Sequence, residues 1–367
     1  MVKLEFSLTD QQNKAKTFVS RSIVNDTFPQ ALLVYGLKGV GQSAFLLDMA
    51  GILLCESEEK KPCGVCESCR ERVRESHDNL LLLFPMGEGK QKKEEELIKE
   101  TNDKLLEVKG SPYCFERSIK EHISIGQVRH LKKRLSYASL VNRKRVVLIF
   151  GLESMMEPAA NALLKVLEEP PPHTYFVLSC EKRERILPTL LSRCISLGLN
   201  PYSPDEMKNF IDVKGGELSH LKGFIPLANG SPGSLMSYEQ GDTNRLESAL
   251  LFIQNSVSMD WLAFIEYIDS RPELNEMEEG IHTLKLVLEL VGYYHRSKDC
   301  EPAVTEELYV KLNTIFKGTR ASFDWNLYAT FVEKCIDLMS KYSLPRMVFL
   351  GQFMSLEEKE KTKLQPS

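Results

Sequence analysis

With 367 residues the chain has room for two or three domains, each with a buried core. Hydrophobic residues at 43% and charged residues at 27% exclude a disordered or fibrous chain, and a net charge of −4, from 47 basic and 51 acidic residues, excludes a protein that works by coating itself with cations against phosphate. No apolar run reaches the roughly 18 residues of a membrane span, and residues 1–10 lack the basic-then-apolar layout of a signal peptide, so the expected compartment is the cytoplasm.

In chain order, Ala31–Tyr35 is a short apolar run, followed by a glycine-rich stretch and then by residues 43–54, rich in helix formers. This reads as strand, loop, helix. Residues 80–84, 146–150, 175–178 and 194–197 repeat the signal of a short buried strand, with helical stretches between them. One of these helices spans 157–169, opens with Pro158 in its first turn and is stopped by Pro170, Pro171 and Pro172. Such alternation predicts an α/β domain over 1–200 with a mostly parallel sheet and helices on both faces. A charged stretch at about 86–110 reads as a solvated, partly helical surface insertion. Past Asn200 the strand signals fade. Residues 204–213 and 217–228 look like short helices of a small helical domain over 201–241, closed by Asn229-Gly230-Ser231-Pro232-Gly233. From 242 to 355 the pattern is helical, with Ile281, Leu284, Leu288 and Val291 on one face and Tyr328, Phe331, Cys335, Leu338 and Tyr342 on another. The charged tail 356–367 carries no apolar stripe and is expected to fray.

Gly36-Leu37-Lys38-Gly39-Val40-Gly41-Gln42-Ser43 fits the phosphate-binding pattern G-x4-G-K-[ST] at every fixed position except the lysine. In a working loop, backbone N–H groups cradle the phosphates, the lysine ammonium neutralises them and the hydroxyl holds Mg²⁺. Gln42 keeps a donor but not the charge. Hydrolysis also needs a metal-binding carboxylate at the end of a neighbouring strand, and the run 146–149 instead enters Phe150-Gly151. With both parts missing, the expectation is no ATP hydrolysis by this chain, and a loop kept for packing strand against helix.

Nine cysteines is an odd number, and four of them, Cys55, Cys63, Cys66 and Cys69, lie within fifteen residues. Four thiolates at about 2.3 Å from one ion make a closed tetrahedral site, which suits structural zinc and leaves no open position for catalysis. A redox pair in Cys63-x2-Cys66 is the lesser reading, because a dithiol does not need two further cysteines beside it. Cys114, Cys180, Cys194, Cys300 and Cys335 are isolated and read as small buried apolar residues. Ser192-Arg193-Cys194 places an arginine just before a predicted strand. On its own it reads as a surface residue, although a guanidinium is also the group that stabilises charge on a transferring phosphoryl.

Taken together, the degenerate loop 36–43, the cysteine cluster, Ile125-Gly126-Gln127-Val128-Arg129, the run from Ala160 to Pro171 and Ser192-Arg193-Cys194 resemble the clamp-loader branch of the AAA+ ATPases. Gly230-Ser231-Pro232-Gly233-Ser234 resembles the start of that family's sensor-2 helix. The resemblance implies an AAA+ phosphate-loop domain over 1–200 with a zinc module inserted at about 55–69, a lid over 201–241 and a ring-forming collar over 242–355. It assigns Arg193 as an arginine finger directed at ATP on a neighbouring subunit. Where the family's motor subunit has a lysine and two acids, this sequence has Gln42, Phe150 and Gly151, which favours a non-catalytic subunit. The implied partners are gamma/tau motor subunits and a delta subunit in a hetero-pentameric ring, the sliding clamp, and primed DNA reached through the complex. Structural zinc is the one cofactor, with ATP met only through partners. An ATP-hydrolysing gamma/tau-type subunit or related AAA+ ATPase is the alternative. A zinc-dependent DNA-binding module is disfavoured by the acidic balance and the lack of a basic, aromatic stripe.

Overall fold

The computed structural model describes residues 3–6, 12–73, 77–86, 94–115, 121–137, 143–214, 216–238, 242–298, 307–317, 323–342 and 344–363. The chain forms two compact units, Met1–Ser219 with Ala228–Ser237, and His220–Leu227 with Tyr238–Ser367.

The first unit begins with β1 (Lys3–Leu4), α1 (Asn13–Val24), β2 (Ala31–Tyr35) and α2 (Gln42–Leu54), followed by β3 (Lys60–Lys61), α3 (Glu67–Val73) and β4 (Leu80–Leu83). It continues through α4 (Glu94–Gly110), α5 (Ile125–Ser136), β5 (Arg145–Ile149), α6 (Glu157–Glu168) and β6 (Thr174–Cys180). It ends with α7 (Pro188–Leu191), β7 (Ile195–Gly198), α8 (Pro204–Lys214) and α9 (Pro232–Met236). Five strands pair in the order β4-β5-β6-β2-β7, all parallel, and β1 pairs with β3 separately. The expected α/β architecture is therefore the one observed, strand by strand.

Parallel strands covered on both faces must be largely apolar: β2 is apolar along its length, and β5 is apolar after Arg145, whose guanidinium donates to Leu135 O and Tyr137 O. Alternation along each strand splits them between two layers. Leu33, Val147, Ile149, Phe176 and Leu178 join the cluster packed under α5 and α6. Leu32, Val34, Val146, Leu148 and Val177 are equally buried and point to the opposite face, where α2 packs against β5 and β6. Helix α2 is buried at all thirteen positions, so it is a core helix with no solvent stripe. Helix α6 has its proline in the first turn and buries Ala159, Ala160, Leu163, Val166 and Leu167 on one face. The charged insertion contains α4, whose Leu105 and Val108 are buried; residues 87–93 lie outside the described set.

The second unit comprises α10 (Asp242–Val257), α11 (Trp261–Asp269), α12 (Met277–Lys298), α13 (Glu307–Lys317), α14 (Trp325–Lys341) and α15 (Pro345–Lys363). Its centre is aromatic: Phe252 meets Phe264, Phe331 and Phe349, and Phe264 stacks on Phe353 at 4.1 Å. The fully buried Tyr328 hydroxyl lies 2.6 Å from Ser256 Oγ, so its polar end is satisfied inside the core.

Several local expectations change. Residues 217–228 do not form an α-helix; 3-10 turns run over Gly216–Phe224, with glycine 216 and glycine 223 weakening any regular helix. In α14 the buried stripe is Tyr328, Phe331, Val332, Cys335 and Met339, while Tyr342 caps the helix in an extended conformation and is exposed. In α12, Leu284, Val287, Leu290 and Val291 are buried, and Ile281 and Leu288 only half-buried. The tail does not fray at 357: α15 continues to Lys363, because the Glu and Lys residues there are strong helix formers even without an apolar face. Cys180, Cys194 and Cys335 are buried as expected, Cys114 is only half-buried, and Cys300 lies outside the described residues. No described helix is long and apolar enough to cross a membrane.

Gln127 ties α5 to the sheet. Its Oε1 accepts from Ser124 N–H at 2.8 Å, completing a capping box, and its Nε2 donates to Phe84 O at 2.8 Å at the end of β4. Replacing it by alanine strands a buried carbonyl and a helix-end N–H, so Gln127→Ala should lower stability by about 2 kcal/mol in urea unfolding followed by circular dichroism. A change within about 0.5 kcal/mol, the range of an ordinary surface substitution, would show that water replaces both contacts.

Candidate functional site

The phosphate-like loop sits where β2 ends and α2 begins. Gly39 and Gly41 have φ of 74° and 110°, a left-handed region that a side chain would strain, so these two glycines are needed for the turn itself. The side chain of Gln42 does not project into the phosphate position. It turns back, and Nε2 donates to Gly36 O at 2.7 Å and Leu37 O at 2.8 Å. The residue that replaces lysine thus bonds the loop to itself.

The chain closes the loop from outside as well. Ser231 Oγ donates to Lys38 O at 2.7 Å, and Gly233 N–H donates to Gly39 O at 2.9 Å. A Cβ added at Gly39 would lie 2.6 Å from Ser231 Oγ, and one at Gly233 would lie 2.2 Å from Tyr113 O, so three backbone segments meet there without room for a side chain. Bounded by Gln42, Tyr113, Phe115, Glu153 and Glu181, the remaining cavity is about 30 Å³. That is space for a water or two, against roughly 300 Å³ or more for a small-ligand pocket.

At the strand end where a metal carboxylate would stand, Phe150 is fully buried and stacks on Phe84 at 4.3 Å, with Phe115 at 5.8 Å from both rings. This apolar trio offers no ligand to Mg²⁺. Gly151 N–H is held by Ser179 Oγ at 3.2 Å, and the nearest acid in sequence, Glu153, accepts from Glu181 N–H at 3.2 Å.

Arg193 lies elsewhere. β7 pairs with β2 in the register Leu32↔Ile195 to Tyr35↔Gly198, so the turn that holds Arg193 leads into β7 beside the start of β2, while Gly36 follows the exit of β2. From the level of Ile195 to Gly36 is four residues of strand, about 13 Å. The side chain of Arg193 is one-third exposed, and its guanidinium contacts Glu168 Oε1, Thr189 O at 2.8 Å and Ser192 Oγ at 3.3 Å.

The four clustered cysteines converge. Cys55 caps α2, Cys63 and Cys66 lie on the following loop, and Cys69 is in α3. Their sulfurs all lie within 4.8 Å of one another, with Cys55 and Cys66 Sγ 4.0 Å apart. Tetrahedral thiolates around an ion at about 2.3 Å would be about 3.8 Å apart, so the spacing fits a metal after a small contraction. Backbone N–H groups of Val65 and Cys66 push the Cys63 thiol down to about 6, and burial pushes Cys69 up to about 12. A thiol raised by burial gains most from a bound cation. The cluster can hold a metal ion, and its donor set is compatible with structural zinc.

Of the residues singled out from sequence, the structure brings together Gly36, Gly39, Gly41, Gln42 and Ser43, and separately the four cysteines, and keeps Arg193 apart from both. Reading the sequence did not find Glu168 as the partner of Arg193, or Ser231, Gly233 and Tyr113 as the closure of the loop. Ser231-Pro232-Gly233 did carry a signal, but as the start of a helix.

Comparison with known proteins places the chain in a family. A family model described as "DNA polymerase III, delta subunit" matches residues 11–203, more than half of the chain. The chain belongs to the DNA polymerase III delta prime family. It is 28% identical over 242 residues to the DNA polymerase III subunit delta' of Escherichia coli, covering 64% of this chain and 62% of that one. To the subunit delta' of Haemophilus influenzae it is 30% identical over 164 residues, 45% of this chain and 40% of the relative. A DNA polymerase III subunit gamma/tau from Mycobacterium bovis is 29% identical over 164 residues, 44% of this chain and 23% of the relative. The chain thus spans about two fifths to three fifths of the length of these delta prime relatives. Within the matched part, the parallel sheet and its covering helices are those that the AAA+ resemblance implies.

For this member of the delta prime family, restoring the lysine should not restore the site. Gln42→Lys supplies the ammonium but leaves Ser231, Gly233 and Tyr113 against the loop, so titration with a fluorescent ATP analogue should show no saturable binding below about 1 mM in either wild type or variant. Micromolar affinity in Gln42→Lys would mean that the missing charge alone, and not the closure, keeps nucleotide out.

Proposed function

We propose that the chain is a non-hydrolysing delta prime subunit of a clamp loader, which helps place a sliding clamp on primed DNA and supplies Arg193 in trans to ATP held by a neighbouring gamma/tau subunit. The observation that carries this reading is that the turn holding Arg193 and the chain's own closed loop lie at opposite ends of β2. An arginine at that end of the sheet has no nucleotide of its own to serve. Any phosphoryl it stabilises belongs to another chain. The hydrolysing gamma/tau-type alternative requires a metal at the position filled by Phe84, Phe115 and Phe150.

In this reading the chain contributes position and charge, and no bond-breaking group. The guanidinium is permanently charged and planar, and its contribution is largest when negative charge builds on the transferring phosphoryl group. Cys55, Cys63, Cys66 and Cys69 hold one zinc ion that pins α3 and the loop before it to the end of α2. The helical second unit, including residues 242–355, provides contacts to the gamma/tau and delta subunits in a hetero-pentameric ring, and the complex works in the cytoplasm.

Arg193→Ala should leave assembly intact in gel filtration and lower the DNA- and clamp-stimulated ATPase of the reconstituted complex. Loss of such a group costs about 10³–10⁵ at the affected site. Total turnover falls only in part, because the remaining interfaces keep their own groups. Arg193→Lys should rescue poorly, since an ammonium cannot make the two-pronged contact. Unchanged turnover in a fully assembled Arg193→Ala complex would return this residue to an ordinary surface role.

Elemental analysis of freshly purified, reduced protein should give about one zinc per chain, and Cys66→Ser should lower both zinc content and the melting temperature of the full chain. Protein free of zinc under these conditions would leave the cluster as four thiols.

A further inference from the structure

We propose that Glu168 is the positioning residue of Arg193, fixing its guanidinium so that two adjacent N–H donors remain open toward phosphate oxygens on a neighbouring chain. The inference rests on the reading of Arg193 as a group acting in trans, and extends it to a residue that touches no nucleotide.

A guanidinium has five N–H donors. On Arg193, Nη1 faces two acceptors, Thr189 O and Ser192 Oγ, which account for both of its hydrogens, and Nη2 donates to Glu168 Oε1. Two donors remain, Nε–H and the second Nη2–H. These nitrogens lie along one edge of the guanidinium, the edge that takes two oxygens of a carboxylate or phosphate at once. Among the described residues, Nε and one hydrogen of Nη2 have no acceptor, and these are the donors left for an incoming anion.

Stability does not explain Glu168 well. Its side chain is about half exposed, and exposed ion pairs contribute little. It is also the last residue of α6, at the negative end of the helix dipole, where a carboxylate is disfavoured. Positioning gives it a purpose that stability does not. A long arginine side chain at a surface samples many rotamers, and a misplacement of about 1 Å can cost on the order of 100-fold in a step that depends on geometry. The main-chain oxygen of Thr189 and the hydroxyl of Ser192 come from Arg193's own turn, so among the described residues Glu168 is the one contact that fastens the guanidinium to a different element.

The experiment is a double-mutant cycle in the reconstituted loader, reading DNA- and clamp-stimulated ATPase with assembly checked by gel filtration. Glu168→Ala should reproduce at least about half of the kcat loss seen in Arg193→Ala with KM unchanged, because the contact matters when charge develops in the transition state. Glu168→Gln, whose amide oxygen still accepts from Nη2, should restore turnover to within about twofold of wild type. Glu168→Asp, with its carboxylate drawn back, should behave like Glu168→Ala. Adding Glu168→Ala to Arg193→Ala should cause no further loss. If Arg193→Ala itself changes nothing, the action in trans fails and the positioning proposal falls with it. If Arg193→Ala lowers turnover but Glu168→Ala leaves it unchanged, raises it, or adds to the Arg193 effect, then positioning alone is overturned and the reading of Arg193 stands.

Discussion

The register of β2 between β6 and β7 is the constraint from which the functional geometry follows. β2 carries the glycine loop at its exit and, through four parallel partners in β7, holds the turn with Arg193 beside its entrance. Slipping that pairing by one residue would turn every apolar side chain of the strand to the wrong layer, which is prohibitive for a strand buried on both faces. The opposition of loop and arginine follows from that pairing. A nucleotide-related role for the arginine must involve a second chain, whatever the chemistry of that partner.

The loop shows how a phosphate site becomes a packing element. Its carbonyls at Gly36, Leu37, Lys38 and Gly39 all accept hydrogen bonds from within the chain, two from Gln42, one from Ser231 and one from Gly233. Opening it to a nucleotide would break a set of mutually supporting contacts in a poorly hydrated place, and each buried polar group left unpaired costs about 1–3 kcal/mol. The missing lysine charge removes the incoming ligand's attraction while these bonds raise the energy of making room. The two effects act in the same direction, and Phe150 adds a third by replacing the metal ligand with an aromatic core residue.

Much of this was legible in the sequence because it depends on periodicity and on fixed spacing. The five strands read as apolar runs, α6 was bounded by Pro158 and the proline triplet, and the four cysteines announced their convergence through their crowding. What was not legible depends on contacts between distant segments. Nothing local marks Glu168 as the partner of a residue 25 positions away, and a carboxylate at a helix end looks like a solvated charge. Gln42 read as a donor directed at phosphate, since sequence cannot show that its amide folds back on Gly36. In the helical unit the stripes were found but their phase drifted: Met339, not Tyr342, faces the core, because α14 stops before Tyr342 and the regular 3.6-residue count ends with it.

Rigidity links the closed loop to the exposed arginine. An α2 that is buried at every position, a loop bonded to itself and an aromatic trio at the strand ends pack the centre of the sheet closely. A motor subunit needs its loop to open and close with nucleotide, and that motion would be transmitted along β2 to whatever sits at its other end. In the proposed role, the turn beside the entrance of β2 would present Arg193 from one place, undisturbed by any opening of the chain's own loop. Charge presented in a fixed orientation stabilises a transition state without reorganisation at the moment of reaction, which is the condition under which electrostatic assistance is strongest. A closed loop of its own is thus physically compatible with the proposed action on another chain's nucleotide.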